Sequence, residues 1–266
     1  MTTTRPNDWS GRDGAYWAEH DVRYDTVLGP LTPHLLAAAD LRPTDRVLDV
    51  GCGCGNTTRL AGRRAADVLG VDLSEAMLAR ARQRTAEAGL TNVRFERADA
   101  QRTAFEPVDL VMSQLGIMFF DDPAAAFANL RRAGRRLAFL CWQRLELNEN
   151  RYVLREALGP HVDLPAPRTT VSALSLADPT RIDELLTGAG FRDIEIQDVR
   201  EPLLLGRDAD DAVEFELADP TVHTWLTEAG PAAARKATDA LREAYAARQT
   251  PEGVLLGSAA WLVTAR

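Results

Sequence analysis

The stretch RVLDVGCGCGNTT, residues Arg46–Thr58, decides the fold of this 266-residue chain. Its first half contains the apolar residues Val47, Leu48 and Val50 around a single Asp, a pattern that predicts a short buried strand. Three glycines follow within five residues, and the polar residues at 56–58 suit the start of a helix. Glycine allows positive φ and lets the backbone approach a ligand closely. The stretch therefore predicts a strand, a glycine-rich turn and a helix.

A second strand that ends in an acid follows this helix. Residues 66–72 (ADVLGVD) have the pattern of a buried strand, and Asp72 stands 21 positions after Gly51. An acid about 20 positions past such glycines is typical of nucleoside sites. Its carboxylate can accept hydrogen bonds from ribose hydroxyls. Ser74 is well suited to cap the next helix. The order of strand, glycine turn, helix, strand and acid therefore predicts a nucleoside-binding βαβ unit.

These residues resemble the class I S-adenosylmethionine-dependent methyltransferases, in particular a small-molecule, type 11-like branch. VLDVGCGCGNTT and GVDLSEAML are similar to the family's glycine-rich motif and to its following acidic motif. The similarity continues through RADAQ at 97–101 and DLVMSQLGIMFFDDP at 109–123. It is close over residues 40–142 and looser towards the C-terminus. Nicotinamide-dependent oxidoreductases usually carry GxGxxG without an Asp two residues before the first glycine, so the run DxGxGxG disfavours that class.

The resemblance implies an α/β fold built on a Rossmann-like, doubly wound, seven-stranded sheet whose last strand is antiparallel. It also implies a single domain over residues 1–266. Within it we expect an N-terminal helical lid at 1–40, a cofactor-binding core at 41–142, and two helical insertions covering the acceptor at 143–178 and 208–250.

The apolar pattern predicts further elements outside the motifs. Two short helices are expected in residues 15–41, broken near Gly29-Pro30. Strands are expected at 108–114, 191–199 and 253–265, and helix is expected throughout residues 208–248.

The resemblance implies S-adenosylmethionine as the cofactor. In this family the acid after the third strand accepts a hydrogen bond from the adenine amino group, and the next backbone N–H donates to a ring nitrogen; the resemblance places Asp99 and Ala100 in these roles. The full set of expected cofactor contacts is Asp49, Gly51, Gly53, Gly55, Asp72, Leu73, Asp99, Ala100 and Gln114.

The substrate pocket and the general base are less well defined by the sequence. Ser113 lies at the end of the fourth predicted strand and is a pocket candidate, as are Trp17 and Tyr24 in the N-terminal segment. For Trp17, packing onto the sheet and a pocket role both remain open. His20 and His161 are the candidate bases, with a surface position as the alternative for each.

Composition excludes several classes of function. A net charge of −8 and a pI near 5.1 argue against a nucleic-acid partner, which would require a basic face. No apolar run approaches the ~18 residues of a membrane span, and we expect a cytoplasmic monomer or homodimer. No spacing of His and Cys predicts a metal site; Cys52 and Cys54, on one glycine turn, suit packing.

The sequence thus favours methyl transfer to oxygen, nitrogen or carbon of a small molecule such as a secondary metabolite. The chain lacks the Asn/Asp-Pro-Pro-aromatic run that nucleic-acid and amino-group methylating branches of the family often carry. Two alternatives stay open. One is an enzyme of this fold that uses the cofactor non-canonically in a different reaction on a natural product, and the other is a non-catalytic partner subunit.

Overall fold

Eight strands form one mixed sheet in the computed structural model, which describes residues 8–266. The strands are β1 Arg46–Val50, β2 Asp67–Asp72, β3 Val93–Arg97, β4 Val108–Gln114, β5 Gly134–Trp142, β6 Glu195–Gly206, β7 Gln249–Thr250 and β8 Gly253–Ala265. Their order is β3-β2-β1-β4-β5-β8-β6, and β7 pairs with β8. Strands β1 to β5 are parallel to one another, whereas β8 is antiparallel to β5 and β6.

This sheet confirms the predicted fold class. The strand order reverses between β1 and β4, which is the switch point where α/β sheets bind ligands at the carboxyl ends of their strands. The difference from the expected seven strands is β7, a two-residue strand beside the start of β8.

Eleven α-helices accompany the sheet in the described part of the chain. They are α1 Arg12–Glu19, α2 Asp21–Leu28, α3 Thr32–Ala38, α4 Asn56–Gly62, α5 Glu75–Glu87, α6 Pro123–Ala133, α7 Glu149–Leu158, α8 Pro179–Gly188, α9 Ala209–Ala218, α10 Pro220–Ala229 and α11 Pro231–Ala246. The N-terminal segment was expected to hold two helices, but it holds three. The additional break falls at His20, whose backbone leaves helical geometry at φ −105° and ψ 22°.

The sixth strand lies later than the sequence pattern predicts. The prediction was 191–199, but residues 191–194 are irregular, and the Phe191 N–H donates to the Leu186 carbonyl at 3.0 Å. The strand then begins at Glu195 and continues through Pro202. Proline is tolerated there because β6 is the edge strand, so the missing N–H breaks no pairing on the outer side.

The apolar interior is divided into two clusters of buried side chains. The sheet core packs both faces of the central strands around residues such as Leu48 and Phe139. The cap core joins α7, α9 and α11 around Leu241 and Tyr245, and it rests on the ends of β6 and β8. Phe215 contacts both cores. The division into lid, core and insertions stays a prediction, and residues 1–7 of the expected lid lie outside the described residues.

The N-terminal helices are fastened to α5 by a buried carboxylate. Asp21 is 2% exposed, and its oxygens accept hydrogen bonds from the Arg80 Nε at 3.0 Å and the Arg84 Nη1 at 2.6 Å. Burial alone would raise the pKa of Asp21, but the two guanidinium groups outweigh it and lower the pKa below its ordinary value.

We therefore expect Asp21→Asn to lower stability by about 1.5–3 kcal/mol, because the three hydrogen bonds from Arg80 and Arg84 lose their charged acceptor. A carboxyl whose folded pKa is depressed stabilises the fold above its unfolded pKa of about 3.9, and this contribution is lost as pH falls through the folded pKa. Thermal unfolding of the variant against the wild type between neutral and acidic pH measures both effects. Asp239→Asn, which breaks an exposed pair with Arg242, is the control and should leave Tm nearly unchanged. An equal Tm for both variants would contradict the prediction.

No helix among residues 8–266 combines the length and the apolar character that crossing a bilayer requires.

Candidate active site

A cavity of about 1150 Å³ opens at the carboxyl ends of the parallel strands. The last residues of all five line it, namely Val50, Asp72, Arg97, Gln114 and Trp142. Helices of the N-terminal segment and of the cap core close its other side. The volume exceeds the ~300–1,000 Å³ of a site for one drug-sized ligand. The cavity therefore has room for more than one small molecule.

The glycine turn forms one wall of this cavity. Gly51 and Gly53 line it, and both have positive φ, at 65° and 53°. A Cβ on Gly51 would lie 2.8 Å from the Cα of Gly116, the residue that follows the β4 end by two positions. The turn and the end of β4 thus approach each other backbone to backbone, which a side chain at position 51 would prevent.

Asp49 and Gly55 lie behind this wall and are not among the residues that line the cavity. The Oδ2 atom of Asp49 accepts hydrogen bonds from the hydroxyls of Thr57 and Thr58, each at 2.7 Å. Burial raises the pKa of Asp49 to about 6, although the two hydroxyls oppose this. A Cβ on Gly55 would meet the ring of Phe95 at 2.8 Å. These two residues support the turn from beneath instead of facing the cavity.

Asp72 ties the second strand to the glycine turn and also lines the cavity. Its Oδ2 accepts the Gly53 N–H at 2.9 Å, and its Oδ1 accepts the Ser74 N–H at the same distance. Burial raises the pKa of Asp72, and these backbone donors partly offset the effect. The carboxylate is therefore held in one orientation at the cavity wall.

Leu73, Asp99 and Ala100 line the neighbouring part of the cavity. Leu73 is 45% exposed, which is unusual for a large apolar side chain beside a polar site. Asp99 accepts the Gln101 N–H at 3.0 Å and the Arg102 Nη1 at 2.6 Å. The loop that carries Ala100 is fixed because the buried Asn129 amide donates to its carbonyl at 2.8 Å. An exposed apolar surface and a carboxylate at this point suit a flat, amine-bearing ring.

Gln114 and Ser113 are consecutive but have different surroundings. Gln114 lines the cavity, and its buried Oε1 has no hydrogen-bond partner among residues 8–266. Ser113 is fully buried and does not line the cavity; its hydroxyl donates to the Val50 carbonyl at 2.7 Å. The expectation that Ser113 faces the substrate is therefore corrected, because successive strand residues point to opposite sides and only one can face the cavity.

The predicted pocket residues Trp17 and Tyr24 both line the cavity. Their rings stack at a centroid distance of 3.6 Å and an angle of 6°. Trp9 contacts Trp17 edge to face and also contacts Phe119, at centroid distances of 5.6 and 5.2 Å. Trp17 thus packs against its neighbours and lines the cavity as well.

Neither candidate imidazole lines the cavity. His20 interrupts the helices after α1, and its Nδ1 lies 2.9 Å from the Tyr16 carbonyl oxygen, with the two rings in contact. His161 follows α7, where its backbone N–H donates to the Leu158 carbonyl at 2.9 Å. The geometry therefore gives no support to either as a general base. The sequence pattern does not determine whether either side chain faces the cavity.

Arg151, Glu216 and Asp219 are cavity residues that the sequence analysis missed. A signal for Glu216 was present, since Ala209, Ala212, Val213 and Glu216 follow the i, i+3, i+4, i+7 spacing of one helix face. All four are buried, so a charged residue stands on the inward face of α9. Such a position is unusual for an acid and is a reason to examine it for function.

No group of three or more His, Cys, Asp and Glu side chains in residues 8–266 is arranged to hold a metal ion. Cys52 and Cys54 of the glycine turn are buried free thiols. Burial raises the pKa of both, that of Cys54 to about 12, so neither offers a ready thiolate.

Comparison with known proteins assigns the glycine turn and its strands to a family. Residues 47–136, from β1 to the start of β5, match the family model of a methyltransferase domain. Over these residues the chain is similar to methyltransferase domains. The match covers the methyltransferase core and leaves the N-terminal helices and the cap core outside it.

Curated relatives are similar to part of this chain over part of their own length. An uncharacterized protein of Mycobacterium tuberculosis is 38% identical over 125 residues, which are 46% of this chain and 45% of that protein. Trans-aconitate 2-methyltransferase of Methylobacterium nodulans is 34% identical over 162 residues, 59% of this chain and 61% of the relative. The chain thus spans about half the length of the first of these relatives and three fifths of the second.

Solved structures share the fold at lower identity. Phosphoethanolamine N-methyltransferase 2 of Haemonchus contortus, in complex with S-adenosyl-L-methionine, is 19% identical with a TM-score of 0.60. That similarity covers 100% of this chain and 60% of the other. The cyclase SpnF is 18% identical with a TM-score of 0.54, covering 95% of this chain and 94% of its own. One methyltransferase-like fold thus occurs in proteins that are described by different reactions.

Proposed function

We propose that this chain binds S-adenosylmethionine in the cavity and transfers its methyl group to oxygen, nitrogen or carbon of a small molecule. The observation that carries the proposal is Asp72, a carboxylate on the cavity wall fixed by the N–H groups of Gly53 and Ser74. It stands at the end of β2, beside the switch point of the sheet, where this fold binds nucleosides.

The polar groups around the cavity fit the cofactor at several points. Asp72 would accept the ribose hydroxyls, with the exposed Leu73 against the adenine ring and Asp99 and Ala100 at its polar edge. Gly51 and Gly53 leave open backbone where the methionine part would lie. The buried Oε1 of Gln114 would gain, from the ammonium group, the donor that it lacks. Asp49 and Gly55 would act from beneath, by holding the turn in shape.

The bound cofactor supplies an electrophilic methyl group on a sulfonium. The protein's own contribution is to hold this methyl and the acceptor in line and to exclude water, which can supply a large part of the rate of such a displacement. Trp17 and Tyr24 would cover the reacting groups from the N-terminal side, since they line the cavity as a stacked pair.

A small acceptor is favoured over a macromolecule by the site and by the charge of the chain. The cavity volume of about 1150 Å³ leaves space for an acceptor beside the cofactor. A net charge of −8 disfavours a nucleic acid. Two of the similar proteins are named for small substrates, trans-aconitate and phosphoethanolamine. We further propose a cytoplasmic monomer or homodimer, and light scattering of the purified chain would measure its mass in solution.

Calorimetric titration with S-adenosylmethionine and S-adenosylhomocysteine tests the proposal. Saturable binding of both at one site per chain is the expected result, followed by the gain of one methyl mass on an accepted small molecule. Binding of neither ligand would refute the proposal and favour a partner subunit that keeps only the fold.

A second reading keeps the cofactor but not methyl transfer. Its support is the likeness of the fold to the cyclase SpnF, over nearly the whole of both chains. In that case S-adenosylmethionine binds and is not consumed, and the product has the mass of its substrate. Product mass therefore separates the two readings.

A further inference from the structure

The cavity contains a second polar region, away from the glycine turn, that the cofactor assignment does not use. It consists of Tyr16, Tyr24, Arg151, Glu216 and Asp219, all of which line the cavity. We call it the Glu216 cluster. Its members come from α1, α2, α7 and α9 and from the residue that joins α9 to α10. The cap core and the N-terminal helices therefore meet here, on the side of the cavity where an acceptor would lie.

Arg151 and Glu216 form a loose ion pair within this cluster. The Nη1 of Arg151 lies 3.8 Å from the Oε2 of Glu216, which is longer than a hydrogen bond. The Glu216 side chain is 6% exposed, whereas that of Arg151 is 49% exposed. Both residues line the cavity. The pair thus combines a buried carboxylate with an accessible guanidinium.

Glu216 is the unused acceptor of the cluster. Among residues 8–266 its carboxylate has no hydrogen-bond partner, whereas Asp219 already accepts the Thr221 and Val222 N–H groups, at 2.8 and 3.2 Å, as the cap of α10. The Tyr16 hydroxyl donates to the Phe215 carbonyl at 3.3 Å. A carboxylate that lines a cavity and has no other hydrogen bond is available to a proton of a molecule bound there, as a general base must be.

The charges around Glu216 favour partial protonation near neutral pH. Burial raises the pKa of Glu216 to about 7; Arg151 on α7 opposes this, and Asp219 reinforces it. The other titratable groups that face it are Tyr16, Tyr24 and Tyr245, whose pKa values are all raised above the ordinary range, mainly by burial. These phenols are neutral at physiological pH, so Arg151 and Asp219 are the charges that tune the carboxylate.

We infer that Glu216 is the general base that accepts the proton of an aromatic hydroxyl group as that hydroxyl is methylated, and that Arg151 is a positioning residue which keeps Glu216 ionised. The inference rests on the proposed function, which supplies the methyl group. As the acceptor oxygen forms its bond to the methyl carbon, the bond from that carbon to sulfur breaks and its electron pair stays on sulfur. The hydroxyl proton passes to a Glu216 oxygen and then to solvent.

The chemical class of the acceptor follows from acidity and from the lining. A phenol has a pKa of about 10, so its proton transfer to Glu216 is unfavourable by only about a thousandfold before attack begins. Proton transfer to Glu216 from a hydroxyl as weakly acidic as water, with a pKa near 15.7, would be unfavourable by roughly nine powers of ten. The aromatic side chains along the cavity, among them Trp17, Phe215 and Trp225, offer flat apolar surface for an aromatic ring.

Glu216→Gln tests the base, with Glu214→Gln as its matched control. Glu214 lies on the same helix, two positions earlier, and is exposed. The probe is 4-nitrophenol bound to the complex with S-adenosylhomocysteine, because its anion absorbs visible light. When a carboxylate lies within hydrogen-bond distance, the two groups titrate as a coupled pair. The absorbance should therefore rise in two steps with pH in the wild type and in Glu214→Gln, and in a single step in Glu216→Gln.

Turnover of a series of phenols with S-adenosylmethionine gives the second readout. We expect Glu216→Gln to lower kcat by about 10²–10⁴-fold with little change in KM. The rise of the wild-type kcat through about pH 7 should disappear in this variant. Arg151→Gln should move that rise to higher pH and keep the plateau, because Glu216 loses the cation that holds its pKa down.

The outcomes separate the inference from the function on which it rests. Failure of the wild type to bind S-adenosylhomocysteine would overturn the proposed function. If S-adenosylhomocysteine binds but 4-nitrophenol does not, the inference is overturned and the cofactor assignment stands. The same holds if bound 4-nitrophenol titrates identically in the wild type and in Glu216→Gln. Tm values equal to that of the wild type would exclude unfolding as the cause of either loss.

Discussion

Asp72→Ala is expected to weaken the affinity for S-adenosylhomocysteine by about ten- to a hundred-fold, which corresponds to the ~1.5–3 kcal/mol of hydrogen bonds to a charged acceptor. The carboxylate is fixed by the Gly53 and Ser74 N–H groups at 2.9 Å, so it is preorganised and little ordering is needed when ribose hydroxyls donate to it. Isothermal titration calorimetry measures the change directly.

The structure provides a control on the same strand. Asp67 stands at the opposite end of β2 and pairs with Arg94 at 2.8 Å, far along the strand from the cavity. Asp67→Ala should leave the affinity for S-adenosylhomocysteine unchanged within about twofold, since a partly exposed pair contributes little. Wild-type affinity in Asp72→Ala would rule out a ribose contact at this carboxylate.

Gly51→Ala is expected to abolish detectable binding of S-adenosylhomocysteine and to destabilise the fold by about 3 kcal/mol or more. Two costs combine at this position. The backbone has φ +65°, which costs an alanine about 1–3 kcal/mol. The new Cβ would also stand 2.8 Å from the Cα of Gly116, where no side chain can rotate away. The turn would have to move, and Asp72 is bonded to that turn through Gly53.

Gly89→Ala isolates the first of these costs. Gly89 has nearly the same φ, +67°, but a Cβ there would meet nothing within 4 Å. We expect a loss of about 1 kcal/mol and unchanged ligand affinity for this variant. Denaturant unfolding together with calorimetry compares the two. An equal loss of stability in both variants would show that the close approach to Gly116 has no energetic importance.

The sequence predicted elements well where local pattern and tertiary structure agree. Strands β4 and β8 lie at the predicted residues 108–114 and 253–265, because their mainly apolar sequences are buried in the sheet. Strand β6 was misplaced by several residues at both ends. Its Pro202 reads as a strand breaker, and only the sheet order reveals that the strand lies at an edge where proline is tolerated.

The site residues also differ in whether local sequence or tertiary structure determines their position. The lining role of Gly51, Gly53 and Asp72 could be predicted because their geometry is fixed within one βαβ unit. Ser113 was misjudged because its neighbour Gln114 takes the cavity-facing position, and adjacent strand residues cannot share it. Glu216 was missed because its ion-pair partner, Arg151 on α7, comes close to it only through tertiary packing. No spacing in the sequence connects positions 151 and 216.

The separation of the apolar interior into a sheet core and a cap core has a consequence for how such an enzyme can diversify. Substitutions around Leu241 and Tyr245 repack α7, α9 and α11 without touching the residues that shape the glycine turn. On the proposed function, natural variation can therefore alter the cap core, and with it the acceptor, while the sheet core keeps its ligand. Phe215 contacts both cores and therefore links them. Grafting the cap helices of one such protein onto the core of another should succeed most readily when this aromatic contact is preserved.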